Sequence, residues 1–419
     1  MTRISALLIL SVMFGSACKQ AIDPSAQFRG PDRSGIFASE TDLLRQWPDD
    51  GPAEIFFIDS IGDGYGSPIV SDDRMYFTGS PDSMAVLYCY DLEGSQLWSI
   101  ELGREWVTNY PGSRSAPTLA GNYLYTGTGF GDLYCVDIRE QEITWTRNLQ
   151  EDFQGILPRF GHSESPLVHG DKVFWTAGGS EYNVLALDRF TGETTWSSEG
   201  MKERSGYHPP RVITAPGGRE LLLTFSAYHL MAFDVESGEL LWTHAQDNYP
   251  AGERKPGIGD THSNTVIYEN GSIWYAAGDG NCGVKLLLSE DGSSISEAWR
   301  NKGFDSYMGG IVKLGDYIYG SATAQPQLRS IHAQTGVITD SLMIGRGVVI
   351  AADSMIYYYS QNGNMYLVAY NDGQLEEVSS FRISKGSREH FSHPLIHDGV
   401  LYLRRGQAVM GYDIQADLS

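Results

Sequence analysis

The sequence has few cysteines and few basic residues, and it lacks several short motifs that mark enzyme active sites. Its 419 residues include 4 cysteines, and 52 acidic residues against 30 basic ones give a formal net charge of −22. A surface this acidic repels phosphate backbones and anionic lipids, so no nucleic-acid partner is expected. No Gly-x-Ser-x-Gly, phosphate loop or His-Glu-x-x-His is present, and these absences disfavour hydrolase chemistry.

The N-terminus carries one short apolar stretch that resembles a bacterial lipoprotein signal. Arg3 is followed by the mostly apolar stretch Ile4–Phe14, too short to span a bilayer, and then by small residues that end at Cys18. We therefore predict a signal peptide over residues 1–18, a lipid on Cys18 and a tether over residues 19–26. Gly15 stands where such signals usually have an aliphatic residue, so ordinary secretory cleavage nearby remains the alternative.

A phrase that recurs along the chain determines the architecture. Leu87–Trp98 returns as Val184–Trp196, and aligning every copy on its Asp position gives eight units spaced 39–55 residues apart. Apolar residues alternate before this position, and a turn that often contains glycine follows it. In the first five units a tryptophan-bearing segment comes next. This pattern predicts four short antiparallel strands per unit. The eight aligned positions are Asp91, Asp137, Asp188, Asp234, Ser289, His332, Asn371 and Asp413.

Four-stranded units of this length, repeated eight times, predict an all-β, eight-bladed β-propeller. The last unit ends at Asp413 and Ile414 without room for a fourth strand, whereas Glu54–Phe57 precedes the first unit. We therefore predict that this early strand becomes the outer strand of blade 8, with Phe56 where other blades have tryptophan. Residues 27–57 are then an N-terminal segment with the closing strand, and residues 58–415 are the propeller.

Cysteine placement favours packing over chemistry. Cys89 and Cys135 occupy the same repeat position as Ala186 and Ala232, as expected of small buried residues. Cys282 is the thiol expected near a loop. Three cysteines beyond Cys18 do not make a disulfide framework.

The repeated phrase resembles the tryptophan docking motif of the quinoprotein-type, or PQQ-like, β-propeller repeat family. Gln27–Gly35 resembles the opening segment of the same family, and the likeness spans residues 27–414. It implies that the motif holds neighbouring blades together. The residues to which this docking role is assigned are Asp91, Trp98, Asp137, Trp145, Asp188, Gly192, Trp196, Asp234, Gly238, Trp242 and Trp299.

The resemblance implies two different roles, because one fold can carry unrelated functions. Some members are PQQ-dependent alcohol or glucose dehydrogenases, which hold Ca²⁺ and PQQ with Asp, Glu and Asn residues and often have a vicinal cysteine pair. Others are similar to the BamB scaffold of the outer-membrane β-barrel assembly machinery and bind no cofactor. This chain has no Cys-Cys dipeptide, which favours the second role.

Loops that lead into the innermost strands of a propeller converge on one face around its axis. Here they carry imidazole and guanidinium groups, which donate hydrogen bonds to carboxylates or hydroxyls, and tyrosines, which offer stacking faces. The alternative is that these side chains only solvate the mouth of a water-filled channel. The ligand-binding residues predicted on this face are Tyr65, Arg114, His162, Tyr207, His208, His262, Arg346 and His393.

Three of these histidines are also the candidates for a metal site. His162, His208 and His262 have Glu164, Asp260 and Asp279 near them in sequence, and imidazole with carboxylate suits Zn²⁺ or Fe²⁺. No His-x-His or His-x-x-x-His spacing fixes the ligands, so no metal is predicted.

The sequence therefore predicts a non-enzymatic lipoprotein of the cell envelope that binds a protein partner or a polar small molecule such as a carbohydrate. The alternative is a periplasmic PQQ- or metal-dependent oxidoreductase acting on alcohols or sugars. We expect a monomer without a cofactor, held to the membrane only by its lipid. The expected location is the outer membrane of a Gram-negative bacterium, facing the periplasm or the cell surface.

Overall fold

Eight sheets, each with four antiparallel blade strands, form the propeller and confirm the predicted fold class; one of them gains a fifth, parallel strand. The computed structural model describes residues 24–199, 201–246, 251–255, 257, 260, 263–278 and 282–416. Cys18, the predicted signal peptide and most of the predicted tether lie outside these residues, as does His262. Within the described part, no helix is long and apolar enough to cross a membrane.

Each blade has strands A to D in order from the axis outward. Blade 1 consists of Ile69–Ser71, Arg74–Gly79, Met84–Asp91 and Gln96–Arg104, and blade 2 of Thr118–Ala120, Tyr123–Gly127, Asp132–Asp137 and Glu142–Asn148. Blade 3 consists of Leu167–His169, Lys172–Thr176, Val184–Asp188 and Thr194–Ser198, and blade 4 of Arg211–Thr214, Glu220–Phe225, His229–Asp234 and Leu240–Ala245.

The second half of the ring repeats this order. Blade 5 consists of Ile267–Glu269, Ser272–Ala276, Gly283–Leu288 and Ile295–Asn301, and blade 6 of Ile311–Leu314, Tyr317–Ser321, Leu328–His332 and Ile338–Leu342. Blade 7 consists of Gly347–Ala352, Met355–Ser360, Asn364–Asn371 and Gln374–Arg382, and blade 8 of Leu395–His397, Val400–Arg405, Ala408–Asp413 and Ala53–Ile58. Two 3₁₀ turns, Pro81–Ser83 and Ala251–Glu253, are the helical elements of the described chain.

The outer strand of blade 8 comes from the N-terminal part of the chain, as the sequence predicts. Ala53–Ile58 pairs antiparallel with Ala408–Asp413, and Phe56 lies opposite Gly411. Phe56 packs so closely on Gly94 of blade 1 that a Cβ there would lie 2.9 Å from the Phe56 Cβ. Strands from both ends of the chain therefore close the ring, and Ala53–Ile58 covers the outer edge of Ala408–Asp413.

Tryptophans on the outer strands join neighbouring blades. The Trp145 indole donates to the Arg189 carbonyl of the next blade at 3.0 Å. Gly192 in that turn has a φ of 68°, and a Cβ on it would lie 2.7 Å from the Trp145 ring. Glycine is thus needed twice at this position, for the backbone conformation and for the close approach of the indole. Trp196 repeats the arrangement by donating to Val235 at 2.9 Å.

Where the motif is lost from the sequence, other groups take its place. In blade 6, Asp340 lies opposite Ser330 at the tryptophan position, and its carboxylate accepts a hydrogen bond from the Leu375 amide of blade 7 at 2.8 Å. Between blades 7 and 8 the aromatic group is Trp47 of the N-terminal segment, with its ring 5.4 Å from Phe381. Neighbouring blades can therefore be joined at positions that lack the motif.

One turn has a residue that is poorly suited to its conformation. Gln141 in blade 2 has a φ of 57° at the position that corresponds to Gly192. Because side chains other than glycine are disfavoured there, Gln141→Gly is expected to raise the free energy of unfolding by about 0.5–1 kcal/mol. Urea unfolding measures the change. Glu140→Gly in the same turn is the control and should lower stability, and equal effects of the two changes would contradict the explanation.

Candidate functional site

The central channel is filled by the N-terminal segment rather than by water. Arg33 is 1% exposed and donates to the Ser165 carbonyl at 3.0 Å, to the Pro166 carbonyl and to the Gln27 side-chain oxygen at 2.7 Å. It thereby ties the segment to the beginning of blade 3, and a weaker contact of 3.4 Å reaches the Pro210 carbonyl next to blade 4.

Arg29 makes the matching contacts on the other side of the channel. It is 3% exposed and donates at 3.1 Å to the carbonyls of Ile311 in blade 6 and Val349 in blade 7. Its guanidinium also donates to Nδ1 of His393 at 2.8 Å, and Nε2 of His393 is then the nitrogen that donates to the Met308 carbonyl. The segment continues as a strand, Ile36–Phe37, that pairs in parallel with blade 7. We call residues 27–37 the plug.

The plug holds positive charge without a close counter-ion. Among the described residues, neither Arg29 nor Arg33 forms an ion pair with a carboxylate. Burial lowers the pKa of each guanidinium to about 9, so both remain cationic at neutral pH. Glu164 is the carboxyl whose charge acts on Arg33, but its own burial raises its pKa to about 8. With Glu164 largely protonated, the charge of Arg33 is uncompensated, whereas the charge of Asp32 acts on Arg29.

Glu164→Gln is expected to flatten the dependence of stability on pH. Because the folded-state pKa is raised, the folded protein binds more protons than the unfolded chain between pH 4.5 and about 8, and stability falls as pH rises through this window. Glutamine still accepts the 3.1 Å hydrogen bond from the Thr176 amide but cannot ionise. The stability of the variant relative to the wild type should be about 3–4 kcal/mol greater at pH 8 than at pH 5. Urea unfolding at both pH values tests this, and an equal difference at both would contradict it.

A cavity of about 480 Å³ opens above the plug, on the face formed by the loops that lead into the A strands. We call this the loop face, and the face with the Asp-Gly turns the turn face. Phe28 of the plug and His393 lie at the cavity wall, so the plug forms part of its floor. The aromatic residues that line it are Phe28, Tyr65, Tyr110, Phe160, Tyr207, Tyr307 and Phe391.

Five of these rings form a continuous band over the loops of blades 8, 1, 2, 3 and 4. The ring centroids of Tyr65 and Phe391 are 5.7 Å apart, and those of Phe391 and Tyr110 are 5.9 Å apart. Tyr110 continues to Phe160 at 5.9 Å, and Phe160 to Tyr207 at 6.1 Å. These spacings are typical of interacting aromatic side chains, so the band is a preformed apolar wall.

Arg114 supports this wall from behind. Its guanidinium donates to the carbonyls of Phe160 and Asn109, each at 2.8 Å, and to the Gly112 carbonyl at 3.2 Å. It also lies over the Tyr65 ring, 5.9 Å from the centroid. The predicted ligand donor is therefore occupied with holding two aromatic loops in place.

Arg346 stands on the opposite side of the cavity, before blade 7. Its Nε donates to the Thr323 carbonyl at 2.8 Å. Its two terminal nitrogens have no hydrogen-bond partner among the described residues, and the side chain is only half-buried. The Tyr207 hydroxyl is also available, because its oxygen accepts from the Phe160 amide at 3.2 Å and it keeps its own proton to donate. Ser67 lines the cavity, but its Oγ is buried.

The structure does not place His162 or His208 at this cavity. The His162 ring is 1% exposed and lies 4.4 Å from the Trp175 ring, with Nε2 3.2 Å from the Thr176 carbonyl. Burial lowers the pKa of His162 to about 4. His208 is equally buried and packs 4.3 Å from the Phe225 ring. Both imidazoles are thus packed inside the blades rather than turned toward a ligand.

Potential metal ligands meet elsewhere in the described chain. Glu40, His397 and Asp398 form the one group of three such side chains, on the turn face. The Glu40 carboxylate there already accepts hydrogen bonds from the amides of Asp398 at 3.1 Å and Gly399 at 3.0 Å. The residues described at the wall of the loop-face cavity include no Asp or Glu. The cavity lining therefore does not fit a Ca²⁺ ion held by carboxylates.

A family model described as "Outer membrane protein assembly factor BamB" matches residues 82–340, more than half of the chain. The chain belongs to this PQQ-like β-propeller family. The match includes blades 2 to 5 completely, with their docking tryptophans.

Curated relatives of this family member include dehydrogenases. This chain is 25% identical over 158 residues to the quinoprotein ethanol dehydrogenase of Pseudomonas aeruginosa. It is 22% identical over 156 residues to the quinoprotein alcohol dehydrogenase PedH of Pseudomonas putida. Each match covers 35% of this chain and 24% of the enzyme. The matched segment thus spans about a quarter of the length of either relative.

Solved structures of both kinds share the propeller. BamB from Moraxella catarrhalis superposes with a TM-score of 0.62 at 15% identity, covering 86% of this chain and 99% of that one. Quinohemoprotein alcohol dehydrogenase from Comamonas testosteroni also gives a TM-score of 0.62, at 12% identity, covering 95% and 81%. At these identities the likeness shows the fold alone.

The sequence prediction missed most of the aromatic band of this BamB-family propeller. Tyr110, Phe160 and Phe391 were not expected at the site. Five of the predicted residues do line the cavity: Tyr65, Arg114, Tyr207, Arg346 and His393. One signal was available: each aromatic residue of the band lies three to seven residues before the proline that leads into an A strand.

Proposed function

We propose that this protein is a non-enzymatic, lipid-anchored propeller of the cell envelope that binds a protein partner or a polar ligand at the cavity of its loop face. One observation carries the proposal. The cavity wall combines a band of five aromatic rings with Arg346, whose two terminal nitrogens have no hydrogen-bond partner among the described residues. The residues described there include no carboxylate. Such a wall is suited to holding a partner or ligand, whereas acid–base catalysis requires a positioned proton acceptor.

Membership of the BamB family supports a scaffold role in outer-membrane protein assembly. We propose the outer membrane of a Gram-negative bacterium as its location, with Cys18 as the lipidated residue. Labelling of cells with a clickable fatty acid tests the anchor. Wild-type protein should take up the label and Cys18→Ser should not, and continued labelling of the variant would contradict the anchor.

Crosslinking in intact cells, followed by affinity capture, tests the scaffold role. Wild-type protein should recover outer-membrane assembly proteins, and a variant with Tyr110→Ala and Phe391→Ala should recover at most about a tenth as much, because aromatic anchors carry much of the energy of an interface. Leu97→Ala, an exposed residue on the outer strand of blade 1, is the control. Equal recovery with the cavity variant would place the contact elsewhere on the propeller.

The alternative function, a PQQ-dependent oxidoreductase, is favoured by one observation, the two quinoprotein dehydrogenases among the curated relatives. Reconstitution with PQQ and Ca²⁺ separates the two functions. Our proposal expects no bound quinone spectrum and no dye reduction with alcohols or aldoses. Stoichiometric PQQ together with turnover would replace the proposal by the alternative.

A further inference from the structure

The cavity has two unlike halves. The loops of blades 8, 1, 2, 3 and 4 contribute the continuous aromatic band, which ends at Tyr207. The loops of blades 6 and 7 contribute Arg346 and Thr323, together with Tyr307 and Met308. A molecule that fills the space therefore meets apolar ring faces on one side and a guanidinium on the other.

The polar groups open to the cavity are mostly donors. Arg346 has its terminal nitrogens available, and the Tyr207 hydroxyl has a proton to give. Ser67 also lines the cavity, but its Oγ is buried and is not open to a ligand. Since carboxylates are missing from the described wall, a neutral sugar would find few acceptors for its hydroxyl protons. A ligand rich in acceptors suits these groups better.

Positive charge lies beneath the cavity as well as beside it. Arg29 lies behind His393, which lines the cavity, and it forms no ion pair in the described chain, although the charge of Asp32 acts on it. His393 accepts a hydrogen bond from Arg29, and burial together with the charge of Arg29 holds its pKa well below the usual range. A buried cation without a counter-ion is costly, and a bound anion would compensate it. The cavity thus attracts anions although the whole protein carries a charge of −22.

We infer that the cavity binds a small organic anion with a body of one or two rings. The ring would lie against the aromatic band, and the carboxylate would point to Arg346 above the positive floor. A volume of about 480 Å³ is in the range of small-molecule sites and suits a body of this size. The inference rests on the proposed binding function of the loop face and names the class of ligand.

Calorimetric titration of the purified protein with matched probes tests the inference. The probes are naphthalene-2-carboxylate, its neutral amide naphthalene-2-carboxamide, and glucuronate as an anion without an aromatic ring. The carboxylate should bind at least about tenfold more tightly than the amide, since a charged hydrogen bond to guanidinium is lost in the amide. Glucuronate should bind more weakly than the naphthalene carboxylate, because it gains less from stacking.

Variants locate the anion. Arg346→Ala should weaken binding of the carboxylate about tenfold or more and leave binding of the amide unchanged. Arg388→Ala removes an equal charge from a rim arginine that is paired with Asp63 and does not line the cavity, and it should have little effect. Equal losses in the two variants would show only general attraction and would overturn the assignment to Arg346.

The affinities of the carboxylate and the amide probes are compared in the wild-type protein, so this test does not depend on the folding of a variant. Equal affinity of the two probes, or no binding of the carboxylate at about millimolar concentration, would overturn the inference. Either result leaves the capture of assembly proteins by the aromatic wall as a separate test of the proposed function. Conversely, tight PQQ binding with dye reduction would support an anion site and end the non-enzymatic proposal.

Discussion

Alanine in place of Arg33 is expected to lower the free energy of unfolding by about 3–5 kcal/mol, because the change leaves several buried acceptors without a donor. The Ser165 carbonyl and the side-chain oxygen of Gln27 depend on this guanidinium, whereas the Pro166 carbonyl also accepts from the Thr118 hydroxyl at 2.7 Å. Arg33→Lys should recover only part of the loss, since an ammonium cannot reproduce the planar fork. Urea unfolding of the purified variants measures both changes.

Arg45→Ala provides the matched control for this prediction. Arg45 also belongs to the N-terminal segment and pairs with Asp353, but its side chain is 56% exposed. Its loss should cost about 0–1 kcal/mol, as for other surface ion pairs. A small effect at Arg33, similar to that at Arg45, would show that the plug does not stabilise the ring.

Trp145→Ala is expected to cost about 3–5 kcal/mol, because it opens a cavity between blades 2 and 3 and removes one of the hydrogen bonds to the Arg189 carbonyl, which the Tyr125 hydroxyl still reaches at 3.0 Å. Trp145→Phe should cost about 1 kcal/mol, since blade 8 already uses Phe56 at this position. Both variants can be compared by thermal and urea unfolding.

The control for Trp145 is another apolar residue of an outer strand. Leu97 is 47% exposed, so Leu97→Ala should change stability by no more than about 0.5 kcal/mol. A loss of stability at Leu97 as large as that at Trp145 would contradict the explanation, because Leu97 does not dock one blade on another.

The architecture was predictable because it repeats. One Asp-to-Trp phrase appears in unit after unit, and period-2 alternation fixes which residues face the sheets. The missing fourth strand of the last unit similarly predicted the pairing of Ala53–Ile58 with Ala408–Asp413, more than 300 residues later in the chain.

The plug was not predictable from the sequence, because it depends on contacts between distant parts of the chain. Gln27–Gly35 has the glycine, proline and charged residues of an exposed loop, yet Arg29 and Arg33 are buried and bind carbonyls 132 to 320 residues away. Trp47 was missed for the same reason, since it lies in no repeat and packs at the junction of blades 7 and 8.

The candidate site was predictable in position but only partly in composition. Convergence of the loops on the axis brings Tyr65, Arg114, Tyr207, Arg346 and His393 to one cavity. A loop residue next to an A strand can instead turn into the blade, as His162 does against Trp175. Sequence spacing cannot distinguish these two directions when the loop has no regular structure.

A photoactivatable residue at position 110, irradiated in intact cells, tests most directly whether the loop-face cavity is where this protein binds. Tyr110 is 45% exposed at the rim of the cavity, and Leu97, with similar exposure on the outer strand of blade 1, is the comparison position. Gel analysis and intact mass would detect adducts of proteins and of small molecules alike. The account predicts a specific adduct from position 110 and none from position 97. An adduct at position 97 with none at position 110 would contradict it.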